Sequence, residues 1–163
     1  MKNLVMITLL FFPFMTTHAQ NVRNFQLRDL DNTQQSFNEL KGERLTLIDF
    51  WASWCGPCLK SIPELNSIYE TYREQGVEII GINCDGPRSI SKVAPMVRSM
   101  KIQYPVLIDL NSDVKNELNL MAFPTLTIVD PDGKILWIHE GFVAGDTEVI
   151  IAEIEKHLKN STP

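Results

Sequence analysis

Two long apolar segments, at 45–51 (LTLIDFW) and 77–84 (VEIIGINC), show no alternation with polar residues. This pattern predicts strands that are covered on both faces. Between them, the apolar residues of 57–75 recur at helical spacing, with Gly76 placed to end the helix and Pro63 to kink it.

Shorter patterns on either side complete the predicted fold. Before the first strand, the sequence predicts a β-hairpin at 25–37, followed by a turn or a single helical turn at 38–42. After the second strand, the sequence predicts a helix at 89–101 with a kink at Pro95, a strand at 105–110 and a short helix at 113–118. Two strands follow at 125–130 and 134–140, joined by a turn at Pro131-Asp132-Gly133. The last predicted element is a helix at 146–158, whose core-facing residues are Val149, Ile150, Ile154 and Leu158. We therefore expect an α/β fold with a central mixed sheet and helices on both faces.

The start of the chain has a pattern of its own. Lys2 precedes a nearly continuous apolar run at 4–15, and a site of the form small-x-small ends at Ala19. This predicts a secretory signal peptide at 1–19 whose removal leaves one domain at 20–163. We expect the mature protein in the periplasm or elsewhere outside the cytosol. The alternative is an uncleaved signal anchor in the membrane, which the short run disfavours because a spanning helix needs about 20 apolar residues.

Composition narrows the class of protein. The 163 residues are 44% apolar and 21% charged, which suits a single globular domain. A net charge of −5 does not provide the basic face that nucleic acid requires, so no nucleic-acid partner is expected. Three cysteines are too few, and odd in number, for a disulfide scaffold. We expect a monomer.

Two of the cysteines form a Cys-Gly-Pro-Cys motif between the first buried strand and the helix that follows. Unpaired backbone N–H groups and the helix dipole at that position favour a thiolate, which is the reactive form of cysteine. The spacing also brings the second sulfur within reach of a disulfide. We expect Cys55 to be exposed and attacking, and Cys58 to be buried and resolving.

Other interpretations of the motif are weaker. Zinc requires four ligands, and only Cys84, His139 and His157 remain, widely spaced and without companions. Haem attachment would require histidine where Leu59 stands. A purely structural disulfide across so short a loop would gain little stability. We expect redox chemistry with no metal and no cofactor.

Residues 50–58 (FWASWCGPC) resemble the active-site segment of the thioredoxins almost residue for residue. Pro63 matches the kink in the family's helix, Phe123-Pro124-Thr125 resembles the loop with the family's cis-proline, and Gly141 resembles the glycine beside its peptide groove. This resemblance covers about 25–159. It implies a thioredoxin fold, thiol–disulfide exchange and a cis Phe123–Pro124 bond.

Within that superfamily the chain is most similar to the secreted TlpA/ResA-like proteins. They share the N-terminal hairpin and a helix-strand insert, which falls here at about 87–110. The chain departs from many of them at Ser61, and from the cytochrome-maturation relatives at Thr125, since those positions often carry Glu. The resemblance implies a substrate-binding surface formed by Trp54, Gly56, Pro57, Phe123, Pro124, Gly141 and Phe142.

Asp49 is the only charge in the first apolar segment. A buried carboxyl should have a raised pKa, and such a group can accept the proton of the Cys58 thiol. The resemblance places a buried aspartate at this position too, but Gly81 stands where thioredoxins usually provide a partner lysine. The alternative for Asp49 is a residue of an edge strand that faces water.

The leading hypothesis is an extracytoplasmic thiol-disulfide oxidoreductase that reduces disulfides of secreted or periplasmic proteins. A membrane thiol electron carrier would then be its donor. The alternatives are a disulfide oxidase or isomerase, and a binding module or chaperone for cytochrome maturation. Trp51 and Cys84 are interpreted as core residues, Cys84 as a small hydrophobic side chain.

Overall fold

The computed structural model describes residues 21–160, so the predicted signal peptide lies outside the described residues. The strands are β1 (Gln26–Asp29), β2 (Gln34–Ser36), β3 (Leu45–Trp51), β4 (Val77–Asn83), β5 (Val106–Ile108), β6 (Thr125–Val129) and β7 (Ile135–Glu140). The helices are α1 (Phe37–Leu40), α2 (Gly56–Tyr72), α3 (Val93–Ser99), α4 (Asp113–Glu117) and α5 (Asp146–Asn160), with 3₁₀ turns at Arg73–Gln75 and Ile90–Lys92.

The strands form one sheet in the order β2-β1-β5-β4-β3-β6-β7. β3, β4 and β5 are parallel, whereas β6 is antiparallel to β3, β7 is antiparallel to β6, and β1 is antiparallel to both β2 and β5. Every residue of β3 is buried, because the strand is central in the sheet and covered on both faces. The predicted mixed α/β sheet is confirmed, and so is the hairpin, which joins the sheet through β5 of the insert.

Alternate residues of β3 face two different layers of helix. Leu47 packs with buried side chains of α2 and α5, and Phe50 packs with Phe37 of α1 and Val114 of α4. Fully burying one such side chain is worth roughly 1.5–3 kcal/mol, so the two clusters provide the main stabilising term of the domain. The face that α2 and α5 cover is also the face of Asp49.

Two details of the predicted helices are wrong. The helix expected at 89–101 is a 3₁₀ turn followed by α3, and Pro95 lies in the first turn of α3, where no intrahelical bond is asked of its nitrogen, so no kink is needed. Val149 is 47% exposed, whereas Ile150 and Ile154 are buried. Adjacent residues of a helix point about 100° apart, so Val149 faces away from the core when Ile150 faces it.

Pro63 does lie inside α2, as predicted, and Gly76 follows the helix in a left-handed conformation with φ of 83°. Within residues 21–160, none of the helices has the length and apolar character needed to cross a membrane.

Candidate active site

Cys55 and Cys58 are joined by a disulfide at the start of α2. Cys55 is the N-cap residue, and its Sγ accepts a hydrogen bond from the backbone N–H of Cys58 at 3.2 Å. Pro57 stands in the first helical turn, where the lack of an N–H costs no bond. The motif therefore places one sulfur among the unpaired N–H groups of a helix N-terminus, as the sequence predicts.

Cys58 is buried as predicted, but Cys55 is more enclosed than expected. Cys58 is fully buried, but Cys55 is only 4% exposed, so the prediction that it is exposed is wrong for the disulfide form. The reason is the apolar cluster in which the disulfide lies, which includes Trp51, Ile62 and Val93, with Phe123 packed against it. Cys55 is still the more accessible of the two sulfur-bearing residues.

An aromatic surface borders the disulfide. Trp54 is 65% exposed, and its ring meets the Phe123 ring edge-on with 5.7 Å between centroids. The Phe123–Pro124 bond is cis, which confirms that prediction. The N–H of Gly141 donates to the carbonyl of Pro124 at 2.7 Å, so β7 holds the proline loop from one side.

The remaining predicted binding residues lie on the same side of the molecule. Phe142 follows Gly141 and is partly buried against the core, and both line one small cavity with Pro124. Gly56 and Pro57 are exposed in the first turn of α2. The fold thus brings residues 54–58 and Phe123 together at the disulfide, and places 141–142 against Pro124.

Asp49 is 1% exposed and lies on the face of β3 beneath α2, so the alternative that it faces water from an edge strand is wrong. Its Oδ2 finds no hydrogen-bond partner among the described residues. Burial raises the pKa of this carboxyl from 3.8 to about 7, as the apolar neighbours predict. At neutral pH the carboxyl is therefore present in both its protonated and its ionised form.

The structure explains why Asp49 has no lysine beside it. Gly81 is the cross-strand partner of Asp49, as expected. A Cβ at this position would lie 3.1 Å from Cε2 of Tyr104 and 3.3 Å from Nε1 of Trp51. The Tyr104 ring occupies the space that a longer side chain would need. Burial, and secondarily the charge of Asp49, holds the pKa of Tyr104 well above its usual range.

Comparison with known proteins bears directly on this dithiol. The model of the AhpC/TSA family matches residues 18–138. Thiol-disulfide oxidoreductase ResA of Bacillus thuringiensis subsp. konkukian is 31% identical over 140 residues, which cover 86% of this chain and 76% of that protein. The chain belongs to the AhpC/TSA family. ResA of Geobacillus kaustophilus is 30% identical over 141 residues, with coverages of 86% and 75%.

Solved structures agree. A crystal structure described as that of a candidate thiol:disulfide interchange protein DsbE from Chlorobium tepidum matches with a TM-score of 0.79 at 25% identity, over 86% of this chain and 96% of the other. A solution structure of a thioredoxin-like protein from Porphyromonas gingivalis is 27% identical with a TM-score of 0.73, over 91% and 97%. The resemblance carried by residues 50–58 is confirmed, and this member of the AhpC/TSA family is a thiol-disulfide oxidoreductase.

One hydrogen-bond network in this AhpC/TSA-family chain was not predicted. Asp85 is fully buried, and its carboxylate accepts hydrogen bonds from the backbone N–H of Ser53 at 2.6 Å, the Ser53 hydroxyl at 2.7 Å and the Asn83 amide at 2.9 Å. Burial acts to raise the pKa of Asp85, but these bonds and one from Ser89 outweigh it and lower the pKa. The network ties the loop before Cys55 to the end of β4. The sequence signal that could have predicted this network is the carboxyl of Asp85, which comes directly after a buried apolar segment.

The two histidines on β7 and α5 have companions, contrary to prediction. His139 Nε2 lies 3.0 Å from Oδ2 of Asp146, a contact that meets the distance but not the angle of a hydrogen bond. His157 Nε2 lies 3.4 Å from Glu153. The His157–Glu153 pair lies within one helix, at a spacing of four residues. The His139–Asp146 pair joins a strand to the helix that follows it, so residue spacing in the sequence does not predict it.

Cys84 is free and buried at the end of β4, as predicted. Burial, followed by the charge of Asp109, raises the pKa of its thiol to about 12. A thiol of this kind is a poor nucleophile at neutral pH. Among residues 21–160, no group of three or more His, Cys, Asp or Glu side chains is placed to hold a metal ion.

Proposed function

We propose that this protein reduces disulfides of proteins outside the cytosol, with Cys55 as the attacking thiol and Cys58 as the resolving thiol. The observation that carries the proposal is the disulfide at the N-terminus of α2, with a backbone N–H aimed at Cys55 Sγ and the buried Asp49 on the strand beneath that helix. A hydrogen bond to sulfur and the helix dipole favour the Cys55 thiolate.

The exchange proceeds in two steps. The Cys55 thiolate attacks one sulfur of the substrate disulfide, and the other substrate sulfur leaves as a thiolate that takes a proton from solvent. Cys58 then passes its proton to Asp49 and attacks Cys55 Sγ, which breaks the bond to the substrate and releases its second thiolate. Two electrons have moved to the substrate, and the Cys55–Cys58 disulfide remains.

Substrate binding is proposed at the surface around the disulfide. The exposed indole of Trp54 and the ring of Phe123 offer an apolar platform beside the disulfide. Pro124 and Gly141, which are joined by a backbone hydrogen bond, and the partly exposed Phe142 are proposed to extend it. Aromatic side chains of this kind contribute strongly to protein contacts because they bury much area with little loss of entropy. Gly56 and Pro57 complete the rim at the start of α2.

The direction of exchange is proposed to be reducing. The pair between the cysteines is Gly-Pro, as in thioredoxin, whose potential is about −270 mV against about −120 mV for the oxidant DsbA. Phe123 offers no side-chain hydrogen bond that would stabilise the Cys55 thiolate further. A reductase outside the cytosol must be recharged, so we propose a membrane thiol electron carrier as its donor.

Insulin reduction tests the activity. The natural protein, reduced beforehand, should cleave insulin disulfides, Cys55→Ala should not, and Cys84→Ala should match the natural protein because its thiol takes no part. If Cys55→Ala retains the natural rate, the proposal is wrong and a binding role is favoured. Equilibration with glutathione tests direction, since a potential above about −180 mV would indicate an oxidase or isomerase instead.

The location of the protein and the identity of its substrates must be tested in the cell that produces it. We propose that residues 1–19 are cleaved and that 20–163 form the mature monomer. Mass spectrometry of secreted material should find Gln20 at the N-terminus, whereas recovery only from membranes with Lys2 intact would support an anchor. Cys58→Ala should accumulate mixed disulfides that identify the substrate proteins.

A further inference from the structure

A small cavity connects the buried carboxyl to a histidine on the sheet edge. Its volume is about 10 Å³, close to the minimum for one water molecule. Asp49 and His139 both line it, together with Ser61 of α2. Ser61 lies one helical turn after Cys58 and donates its hydroxyl to the Cys58 carbonyl at 2.9 Å. The cavity therefore lies next to the turn that carries the resolving thiol.

The two titratable side chains point into the same layer because of the strand register. Asp49 pairs with Leu126 of β6, and Leu126 pairs with His139 of β7. Residues directly opposite one another in neighbouring strands project from the same face of the sheet. Asp49 is 1% exposed, whereas the His139 side chain is 23% exposed on the edge strand. The His139 side chain thus lines the cavity and is also partly exposed to solvent, while its Nε2 atom is buried against Asp146.

The carboxylate of Asp146 lies beside the imidazole of His139. Asp146 Oδ2, 3.0 Å from His139 Nε2, also accepts the backbone N–H of Val143 at 2.7 Å. That bond, followed by the contact with His139, lowers the pKa of Asp146. Trp137 stacks on the imidazole with 5.2 Å between centroids and 11° between planes, which fixes the ring.

We infer that His139, paired with Asp146, is the outlet through which Asp49 exchanges its proton with solvent, by way of a water molecule in the shared cavity. The inference rests on the proposed function, in which Asp49 accepts the proton of Cys58. In each turnover the Asp49 carboxyl gives a proton to the water, and the water gives one to His139. The imidazolium, stabilised by Asp146, releases its proton to solvent, so no other reactant is consumed.

Few other groups compete with this route. Of the cavity's lining residues in 21–160, Asp49 and His139 are the ones that carry an acidic or basic side chain. Beyond the lining, Asp146 contacts His139, Cys58 lies one turn before Ser61, and Tyr104 and Cys84 are close enough to Asp49 for its charge to act on them. Burial raises the pKa of the Tyr104 hydroxyl and of the Cys84 thiol far above neutrality, so neither exchanges protons there at neutral pH.

Stopped-flow reaction of the reduced protein with an aromatic disulfide, dithiobis(nitrobenzoate), separates the two steps. The first thionitrobenzoate is released when Cys55 attacks, and the second when Cys58 resolves the mixed disulfide. Below pH about 7 the Asp49 carboxyl must lose a proton before it can accept another, so the outlet limits the second phase there. We expect His139→Ala and His139→Gln to slow the second phase by about tenfold at pH about 6, with the first phase unchanged.

Two controls separate a proton role from a structural one. Imidazole in the buffer should restore the second phase of His139→Ala. His157→Ala removes a histidine that also has an acidic partner but does not line the cavity, and should behave as the natural protein. A second phase unaffected by His139→Gln, or a slow phase in folded His139→Ala that imidazole does not restore, overturns the inference. If the natural protein shows no second release at all, the proposed function itself fails.

Discussion

Replacing Asp49 by asparagine should change how the stability of the oxidised protein depends on pH. Asparagine keeps the shape of the side chain and removes its charge. In the folded protein burial raises the pKa of Asp49 to about 7, against an ordinary value of 3.8. The folded state therefore holds the proton more tightly than the unfolded chain, and the natural protein loses stability as the pH rises through this interval.

The size of the effect follows from the two values. Each tenfold difference in proton affinity corresponds to about 1.4 kcal/mol, so full ionisation of Asp49 costs roughly 4 kcal/mol of unfolding free energy above pH about 7. About 2–3 kcal/mol of this develops between pH about 5 and about 8. Asp49 is fully buried, so solvent screening does not reduce the figure. Any cost of the buried amide itself does not vary with pH and cancels in the comparison.

Urea unfolding of the disulfide form at pH about 5, 6.5 and 8 measures this difference. Relative to the natural protein, the unfolding free energy of Asp49→Asn should rise by about 2–3 kcal/mol across the series. Asp31→Asn, which changes an exposed carboxyl, is the control and should follow the natural protein. Parallel curves for Asp49→Asn and the natural protein would refute the reasoning, because the carboxyl would then not be held neutral by burial.

Three further predictions concern the groups around the site. Cys84, whose pKa burial raises to about 12, should take up no iodoacetamide in the folded oxidised protein and should react in denaturant; labelling of the folded form at neutral pH would contradict its burial. Gly81→Ala should lower the unfolding free energy by about 1–3 kcal/mol, since its Cβ would lie 3.1 Å from the Tyr104 ring, and unchanged urea unfolding would show that the ring moves freely. Asp85→Ala should lower the unfolding free energy by about 1–3 kcal/mol for each buried donor of Ser53 that is left unpaired, and it should slow insulin reduction. Full activity of this variant would show that the loop before Cys55 does not depend on Asp85.

Much of the fold follows from short-range pattern. Two apolar segments without alternation predict β3 and β4 because only a strand covered on both faces needs such a run. The Cys-Gly-Pro-Cys motif predicts its own place at the start of α2, since proline and an N-cap sulfur suit that turn. The buried state of Asp49 follows from its apolar neighbours, and Gly81 is correctly placed beside it by alignment of two adjacent strands. These features depend on residues that are close in sequence, or on the register between the two adjacent strands β3 and β4.

The tertiary structure alone decided what lies between elements far apart in the chain. Cys55 is covered because Val93 of the insert and Phe123 of the proline loop pack around the disulfide, which no local spacing reveals. Tyr104 fills the place of a missing lysine, Asp85 fastens the active-site loop from another strand, and His139 meets both a carboxylate and the cavity of Asp49. Hydrophobic periodicity determines which face a side chain occupies, whereas side-chain contacts depend on how whole elements pack against one another.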